Sequence, residues 1–302
     1  MIFFNNDGNL SFRKEINFKL EKDLQTLVEK NMKTIFGLKF VTTEFPIESY
    51  RFDSVAFDEE TKSFVIIEYK RGRNESLVDQ GYAYLYTLLD RKADFVLLYN
   101  DIFNTSKGIK DFDWTQTRIM FVSPKFTDYQ KNATAFSNMP FELYEIKQYE
   151  NGIILVDEVN RDKSVKADSP ESVKDEKINK VTKEVIIYKE EDSLSKGDEY
   201  AKELYYELKS RILNLGNVKI APKKLYIAFK GKTNVCDIVT MKNQLKVFIN
   251  LKEGQLKDPF KMARLIKNVG HWGNGDYEMI VKDEETLNYT MSLIKQSYEI
   301  NT

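Results

Sequence analysis

Hydrophobic and polar positions alternate most clearly between residues 50 and 70. In a first run Phe52, Ser54 and Ala56 alternate with Asp53, Val55 and Phe57; a second run, Ser63 to Lys70, is carried by Phe64, Val65, Ile66 and Ile67. β-Branched and aromatic residues in this pattern predict two strands, and the unbroken apolar stretch of the second suits a strand covered on both faces. The polar cluster Asp58 to Lys62 predicts the turn between them. Folded as a hairpin, the runs place Phe57 opposite Phe64 and Asp53 opposite Glu68. Period two sets Phe64, Ile66, Glu68 and Lys70 on one face.

The rest of the first half supplies a frame for this hairpin. Residues 1–17 suit a small edge hairpin about Asp7-Gly8. Residues 18–36 predict an amphipathic helix with Leu20, Leu24, Leu27, Val28 and Ile35 on its apolar stripe, ended by Gly37. Glu21 falls on the inward edge of that stripe and Glu29 near the opposite side, while Asn31 sits inside it and needs a partner. A strand over 38–47 follows, with Pro46 marking an end or an edge; its Glu44 has two readings, an acid that approaches the site or, favoured, a solvated strand residue. A helix over 76–91 buries Tyr82, Leu85, Tyr86 and Leu89. Strands are predicted at 94–99 and 118–122, a helix at 126–135, and a closing strand pair at 141–148 and 152–157. The order implies an α/β (α+β) domain over residues 1–160, a mixed sheet flanked by helices.

Residues 161–183 change character. Charges of both signs, Ser and Pro dominate, which predicts a solvated linker. Residues 184–302 then predict a smaller α+β unit: a short strand at 185–188, a helix at 198–213, strands at 224–230, 235–241 and 244–251, a helix opened by Asp258-Pro259, a strand at 276–281 and a final helix at 284–298.

Composition narrows the function. The 302 residues carry 46 basic and 47 acidic side chains, a net charge of −1. Nucleic-acid contact must therefore come from a local patch, not a global excess. The single cysteine, Cys236, excludes an internal disulfide and predicts a reducing, cytoplasmic setting. The N-terminus lacks the pattern of a signal peptide, and no apolar run reaches the ~20 residues that span a membrane.

Directly opposed residues of an antiparallel pair have Cβ atoms about 4.5–5.5 Å apart, and like charges there are destabilising. Asp53 and Glu68 in that position therefore point to a cation between them, and hard divalent ions such as Mg²⁺ take carboxylate oxygens. Lys70 would orient a metal-bound water or stabilise phosphorane charge. Arg71 and Arg73 would hold a phosphodiester backbone.

Asp53 followed by Glu68-Tyr69-Lys70 at hairpin spacing resembles the PD-(D/E)XK restriction-endonuclease-like superfamily. Gln80-Gly-Tyr-Ala-Tyr84 looks like the Gln-x-x-x-Tyr element of its RecB-type members, with Gln80 and Tyr84 one helical turn apart. The resemblance implies a Mg²⁺- or Mn²⁺-dependent nuclease, acting on DNA more than RNA. Asp53 and Glu68 would bind metal, Lys70 would position water, and Gln80 and Tyr84 would shape the site. Members often add an acid from the first helix, for which Glu21 is the better placed. Many such nucleases pair to cut two strands, so a homodimer is compatible. The alternative is a non-catalytic nucleic-acid-binding or assembly protein on the same fold.

The second unit contains the only histidine, His271, beside Trp272 in the glycine-rich stretch Gly270 to Asp276. Two readings stand: a loop that binds phosphate or stacks a base, or a tight turn that needs glycine, with Trp272 as a core anchor. That stretch, the Asp258-Pro259 step and Ile294-Lys295-Gln296-Ser297-Tyr298 resemble an uncharacterised bacterial domain of the "predicted transport protein" type. Its place behind restriction-endonuclease-like domains implies a recognition or interaction role. A solute-handling protein is the third reading, and it requires a ligand pocket beside His271.

Overall fold

The computed structural model describes residues 1–70, 76–134, 139–159, 176–267, 269–270 and 273–302. They form two compact units, Met1–Ile187 and Tyr188–Thr302.

The first unit opens with the hairpin β1 (Ile2–Asn6) and β2 (Asn9–Arg13), which turns at Asp7 and Gly8, both at positive φ. A short β3 (Glu15–Ile16) leads into α1 (Glu21–Phe36), which Gly37 closes in the left-handed conformation at φ 72°. Three strands follow: β4 (Lys39–Ile47), β5 (Tyr50–Asp58) and β6 (Ser63–Tyr69). Then come α2 (Leu77–Asp90), α3 (Lys92–Phe103), β7 (Arg118–Ser123), α4 (Asp128–Thr134), β8 (Phe141–Tyr149), β9 (Ile153–Glu158) and α5 (Glu176–Glu184).

Strands β3 to β9 make one mixed sheet in the order β3-β8-β7-β6-β5-β4, with β9 pairing β8. β6, β7 and β8 run parallel and the other pairs antiparallel. The crossover from β6 to β7 is made by α2 and α3, the helical connection that parallel neighbours require. Each face of the sheet has its own core. Phe57, Phe64 and Ile66 pack with Leu85 of α2 and Phe95 of α3, while Ala56, Val65 and Ile67 pack with Leu24, Val28 and Met32 of α1. β6 is buried along its whole length, as its continuous apolar run predicts.

The hairpin register agrees with the sequence. Phe57 pairs with Phe64, and the ladder continues to Ser54↔Ile67. The turn is held by Asp58, whose Oδ1 accepts from the N–H groups of Glu60 and Thr61 at 3.0 and 3.3 Å.

Three expected elements differ in the first unit. Residues 94–99 belong to α3 and are not a strand. Phe95, Val96 and Tyr99 are buried while Leu97 is exposed, a helical spacing, and Val96 is the one β-branched residue among them. The segment 161–183, read as a linker, becomes helical at α5; residues 160–175 lie outside those described. α5 has the apolar spacing of an amphipathic helix, and Val181 and Val185 are buried in the same core as Leu85. Lys180 pairs with Asp90 at 2.8 Å, and Lys92 with Glu184. The strand expected at 185–188 is therefore absent. The Val185 N–H continues the helix by donating to Val181 O, and the Ile186 N–H donates to Thr115 O.

The second unit comprises α6 (Glu190–Leu194), α7 (Glu199–Leu213), β10 (Lys219–Pro222), β11 (Ile227–Lys230), β12 (Asn234–Thr240), β13 (Leu245–Ile249), β14 (Arg264–Leu265), β15 (Tyr277–Val281) and α8 (Glu284–Asn301). Its sheet is antiparallel throughout, in the order β10-β11-β12-β13-β15-β14. Leu204, Tyr205 and Leu208 of α7 and Leu287, Leu293 and Ile294 of α8 cover one face with Ile227, Phe229, Ile238 and Val247. No helix forms after Asp258-Pro259. The Asp258 carboxylate instead accepts from the Met262 and Ala263 N–H groups, and Lys261 takes a positive φ of 52°. Such side-chain capping competes with the helical ladder.

Candidate metal and phosphodiester site

The site lies where β5 and β6 stop pairing. One step beyond Ser54↔Ile67 the Asp53 carboxylate takes over: its Oδ2 accepts from the Tyr69 N–H at 3.0 Å. Glu68 and Lys70 follow on β6 and its end, both buried, and the Lys70 N–H extends the parallel ladder by donating to Val122 O at 2.8 Å. Lys70 Nζ is 3.2 Å from Glu68 Oε1.

α2 completes the cluster. Ser76 caps its start by accepting from the Asp79 N–H, which sets Gln80 in the first turn facing β6. Gln80 Nε2 donates to Glu68 Oε1 at 2.7 Å and to Tyr84 Oη at 3.0 Å. The Tyr84 ring packs on Phe52 and Tyr50, with centroids 4.7 and 5.5 Å away. Thus Asp53, Glu68, Lys70, Gln80 and Tyr84, five residues singled out in the sequence, come together.

Burial dominates the electrostatics. Desolvation, reinforced by the neighbouring Asp53 charge and opposed by Lys70, pushes the Glu68 carboxyl up to about 7. Desolvation also raises Asp53, against the lowering effects of the Tyr69 N–H and Lys70. Tyr84 is pushed up to about 12 by burial and by Glu68.

A divalent cation fits these residues. Glu68 Oε2 and Gln80 Oε1 are buried acceptor atoms with no hydrogen-bond partner. Leaving such groups unmet costs about 1–3 kcal/mol each. The donors on offer are oxygens of an acid pair and an amide, the ligand type of Mg²⁺ and Mn²⁺. Among the described residues no three His, Cys, Asp or Glu side chains converge. The ion would therefore rest on two carboxylates and keep several waters, as Mg²⁺ commonly does.

Glu21 does not join this group. It shares the phase of Gln25, Val28 and Met32 but is the first residue of α1 and is exposed. The helix acid that reaches the hairpin is Glu29, whose Oε1 accepts from Ser54 Oγ at 2.6 Å and Gln25 Nε2 at 2.9 Å. Gln25 is itself buried and also donates to the Asp53 carbonyl at 2.8 Å. Ser54 Oγ lies 3.3 Å from the Tyr69 hydroxyl, which burial holds above the usual tyrosine range. Sequence reasoning missed this support behind Asp53. Its one signal was a glutamine set between Leu24 and Val28 on a helix face bound for the core. Asn31, expected to need a partner inside the stripe, is exposed and donates to Leu27 O at a local kink. Glu44 is held below the usual carboxylate range by its bond from Lys22, helped by Arg51.

Arg71, Arg73, His271 and Trp272 lie outside the described residues. Among the described residues no helix is long and apolar enough to cross a membrane.

Residues 190–301 match a family described as a domain of unknown function, DUF5655. Among solved structures, an EndoMS–double-stranded DNA complex is 19% identical over 44% of this chain, with a TM-score of 0.26. EndoMS in its apo form is 20% identical over 43%, with a TM-score of 0.29. A repair endonuclease from Pyrococcus abyssi is 20% identical over 44%, with a TM-score of 0.26. The matched regions span about half of those chains, 47%, 48% and 50%. An uncharacterized protein of Haemophilus influenzae is 44% identical over 299 residues, 98% of each chain. The chain belongs to the same family as that Haemophilus influenzae protein.

Proposed function

We propose that the chain is a metal-dependent nuclease that hydrolyses phosphodiester bonds of nucleic acid, DNA before RNA, and that its second unit serves recognition. The observation that carries this reading is the cluster of half-buried Asp53 with buried Glu68 and Lys70, in which Glu68 Oε2 is left unpartnered. A buried glutamate and lysine beside a half-buried aspartate at a strand end, with an acceptor atom unmet, make a poor device for stability. They make a good one for binding a cation and a phosphate. The arrangement also agrees with the PD-(D/E)XK resemblance of the sequence.

Asp53 and Glu68 would hold Mg²⁺ or Mn²⁺, which when bound polarises a phosphoryl oxygen and lowers the pKa of a coordinated water. Gln80 ties down Glu68 Oε1 and so leaves Oε2 for the ion. Lys70 places a cationic donor beside that carboxylate, where it would meet the attacking water or the developing phosphorane charge. Tyr84, raised to about 12, stays protonated at neutral pH and holds Gln80 instead of acting as a base.

Cleavage assays on single- and double-stranded DNA and RNA in Mn²⁺ test this reading. Wild type is expected to cut at least one polymer, and Lys70→Met to lower the rate about 10²–10³-fold while retaining the metal. A wild-type protein that binds Mn²⁺ and cuts none of the four would favour the non-catalytic binding protein.

A further inference from the structure

We infer that the β1–β2 hairpin joins two copies of this chain through its apolar face, an assembly surface that goes beyond the nuclease reading and does not rest on it. The hairpin is a two-stranded sheet of its own. Its register sets Phe3 opposite Phe12 and Asn5 opposite Leu10 on one face, and Ile2 opposite Arg13 and Phe4 opposite Ser11 on the other. The second face is partly covered: Ile2, Ser11 and Arg13 are half-buried, and the Arg13 guanidinium lies 5.2 Å from the centre of the Phe4 ring. The first face is open. Phe3, Leu10 and Phe12 are 48, 66 and 52% exposed, and Met1, in the same phase one step before β1, is wholly exposed.

A lone two-stranded hairpin is marginal in water unless a further layer covers an apolar face. This one is anchored at its base. The Glu150 N–H donates to Lys14 O at 3.0 Å, the Lys14 N–H donates to Glu150 Oε2 at 3.2 Å, and β3 pairs with β8. On the open face Phe3 meets Phe12 edge-on, ring centres 5.7 Å apart, and both rings keep about half their surface in water. At about 150–250 Å² for a fully exposed large side chain, Met1, Phe3, Leu10 and Phe12 leave roughly 500 Å² open on each copy, the upper end of what a monomer exposes. Two such faces together would bury about 1,000 Å², where specific interfaces begin. A dimer of that size is reversible, and its population follows protein concentration.

A second copy is the occupant that the charges favour. Residues 1–12 carry one charged side chain, Asp7, in a chain that is 31% charged, and it sits in the turn, at the far end from Arg13 and Lys14. Two copies can therefore meet about a two-fold axis, Phe3, Leu10 and Phe12 against their equivalents, with no like charges opposed. A charged partner would find no ion pair on this face, and an anionic bilayer would meet Asp7 first. β1 also lacks the Lys or Pro that usually guards an open edge.

Sedimentation equilibrium of the full-length protein over a concentration series, without metal or nucleic acid, tests the inference. The average mass should rise from 35.4 kDa towards twice that value as concentration rises. Leu10→Asp puts a charge on the face and should raise the dissociation constant about 10-fold or more. Leu97→Asp makes the same change at a leucine of α3 that is also 66% exposed, and it should assemble as wild type. Thermal unfolding of both variants confirms that they fold. Wild type that stays at 35.4 kDa throughout, equal assembly by Leu10→Asp and wild type, or equal loss in both variants would overturn the inference. So would a monomer that binds phosphatidylcholine–phosphatidylserine vesicles through Leu10. Mn²⁺ binding and cleavage are read separately, so their failure would remove the nuclease reading and leave the dimer standing.

Discussion

Gln80 on α2 donates its amide N–H to Glu68 Oε1 on β6 at 2.7 Å, leaving the other carboxylate oxygen buried and unpartnered. A glutamine one turn into a helix thus decides which oxygen of a strand-end acid is free. The same amide donates to Tyr84 Oη, so the Gln-x-x-x-Tyr spacing works as one unit. Tyr84 restrains Gln80, and Gln80 orients Glu68.

Gln80→Ala should therefore lower Mn²⁺ affinity about 10–100-fold, the usual effect of losing a group that orients a metal ligand. Tyr84→Phe keeps the ring against Phe52 and should cost less. Calorimetric titration of each variant separates the two, and equal, wild-type affinities would show that Glu68 needs no restraint.

The raised Glu68 carboxyl gives the metal-free protein an unusual pH response. The unfolded side chain releases its proton near 4.5, the folded one near 7. Between these values the folded state holds more protons, so stability falls as pH rises through that window. Asp53, also raised, adds in the same direction. Urea unfolding of metal-free protein across this range should show the decline, and Glu68→Gln should flatten it. By the same linkage, Mn²⁺ binding below pH 7 should release protons and weaken as pH falls.

Gln25 ties α1 to the strand that carries Asp53. Its Nε2 faces Asp53 O, Glu29 Oε1 and Thr43 Oγ1 at 2.8, 2.9 and 3.1 Å. Gln25→Ala takes this buried donor from acceptors on half-buried Asp53 and Glu29 and exposed Thr43 and should destabilise the fold by about 1 kcal/mol, with weaker Mn²⁺ binding because Asp53 is less firmly placed. Urea midpoints and calorimetry on the same variant test both parts.

Gly81 lets α2 approach the sheet. A Cβ at this position would lie 2.6 Å from Cε1 and Cζ of Phe141, a fully buried ring. Gly81→Ala should destabilise by about 1–3 kcal/mol through overpacking, despite the better helix propensity of alanine. It should also lower Mn²⁺ affinity by displacing the adjacent Gln80. A rise in thermal midpoint would contradict this packing.

The hairpin that carries the site was legible because its signals agree: alternation over 52–57, an unbroken apolar strand at 64–67, and a polar turn where Asp58 caps its own loop. Register then brought Asp53 and Glu68 together. Elements whose pattern depends on tertiary neighbours were not legible. The run Phe95 to Tyr99 has apolar content that suits either a strand or a helix, and only the exposed Leu97 distinguishes them. α5 is too polar to announce itself, and its packing rests on Ile178 and Val181, with Val185 just beyond its end. Glu21 and Glu29 were ranked by helical phase, but phase is silent about where along a helix the sheet lies. That axial position, together with Ser54 and Gln25, selects Glu29. At Asp258 the side chain's own bonds to the backbone outcompeted the helix that the following proline suggested.

A cation site at Asp53 and Glu68 underlies the nuclease proposal. Calorimetric titration of Mn²⁺ into wild type and into Asp53→Ala/Glu68→Ala tests it most directly, with thermal unfolding to confirm that both fold. Wild type should bind saturably, and the double variant should lose that binding. Wild-type protein that binds no Mn²⁺, or a double variant that binds it equally well, would contradict the claim.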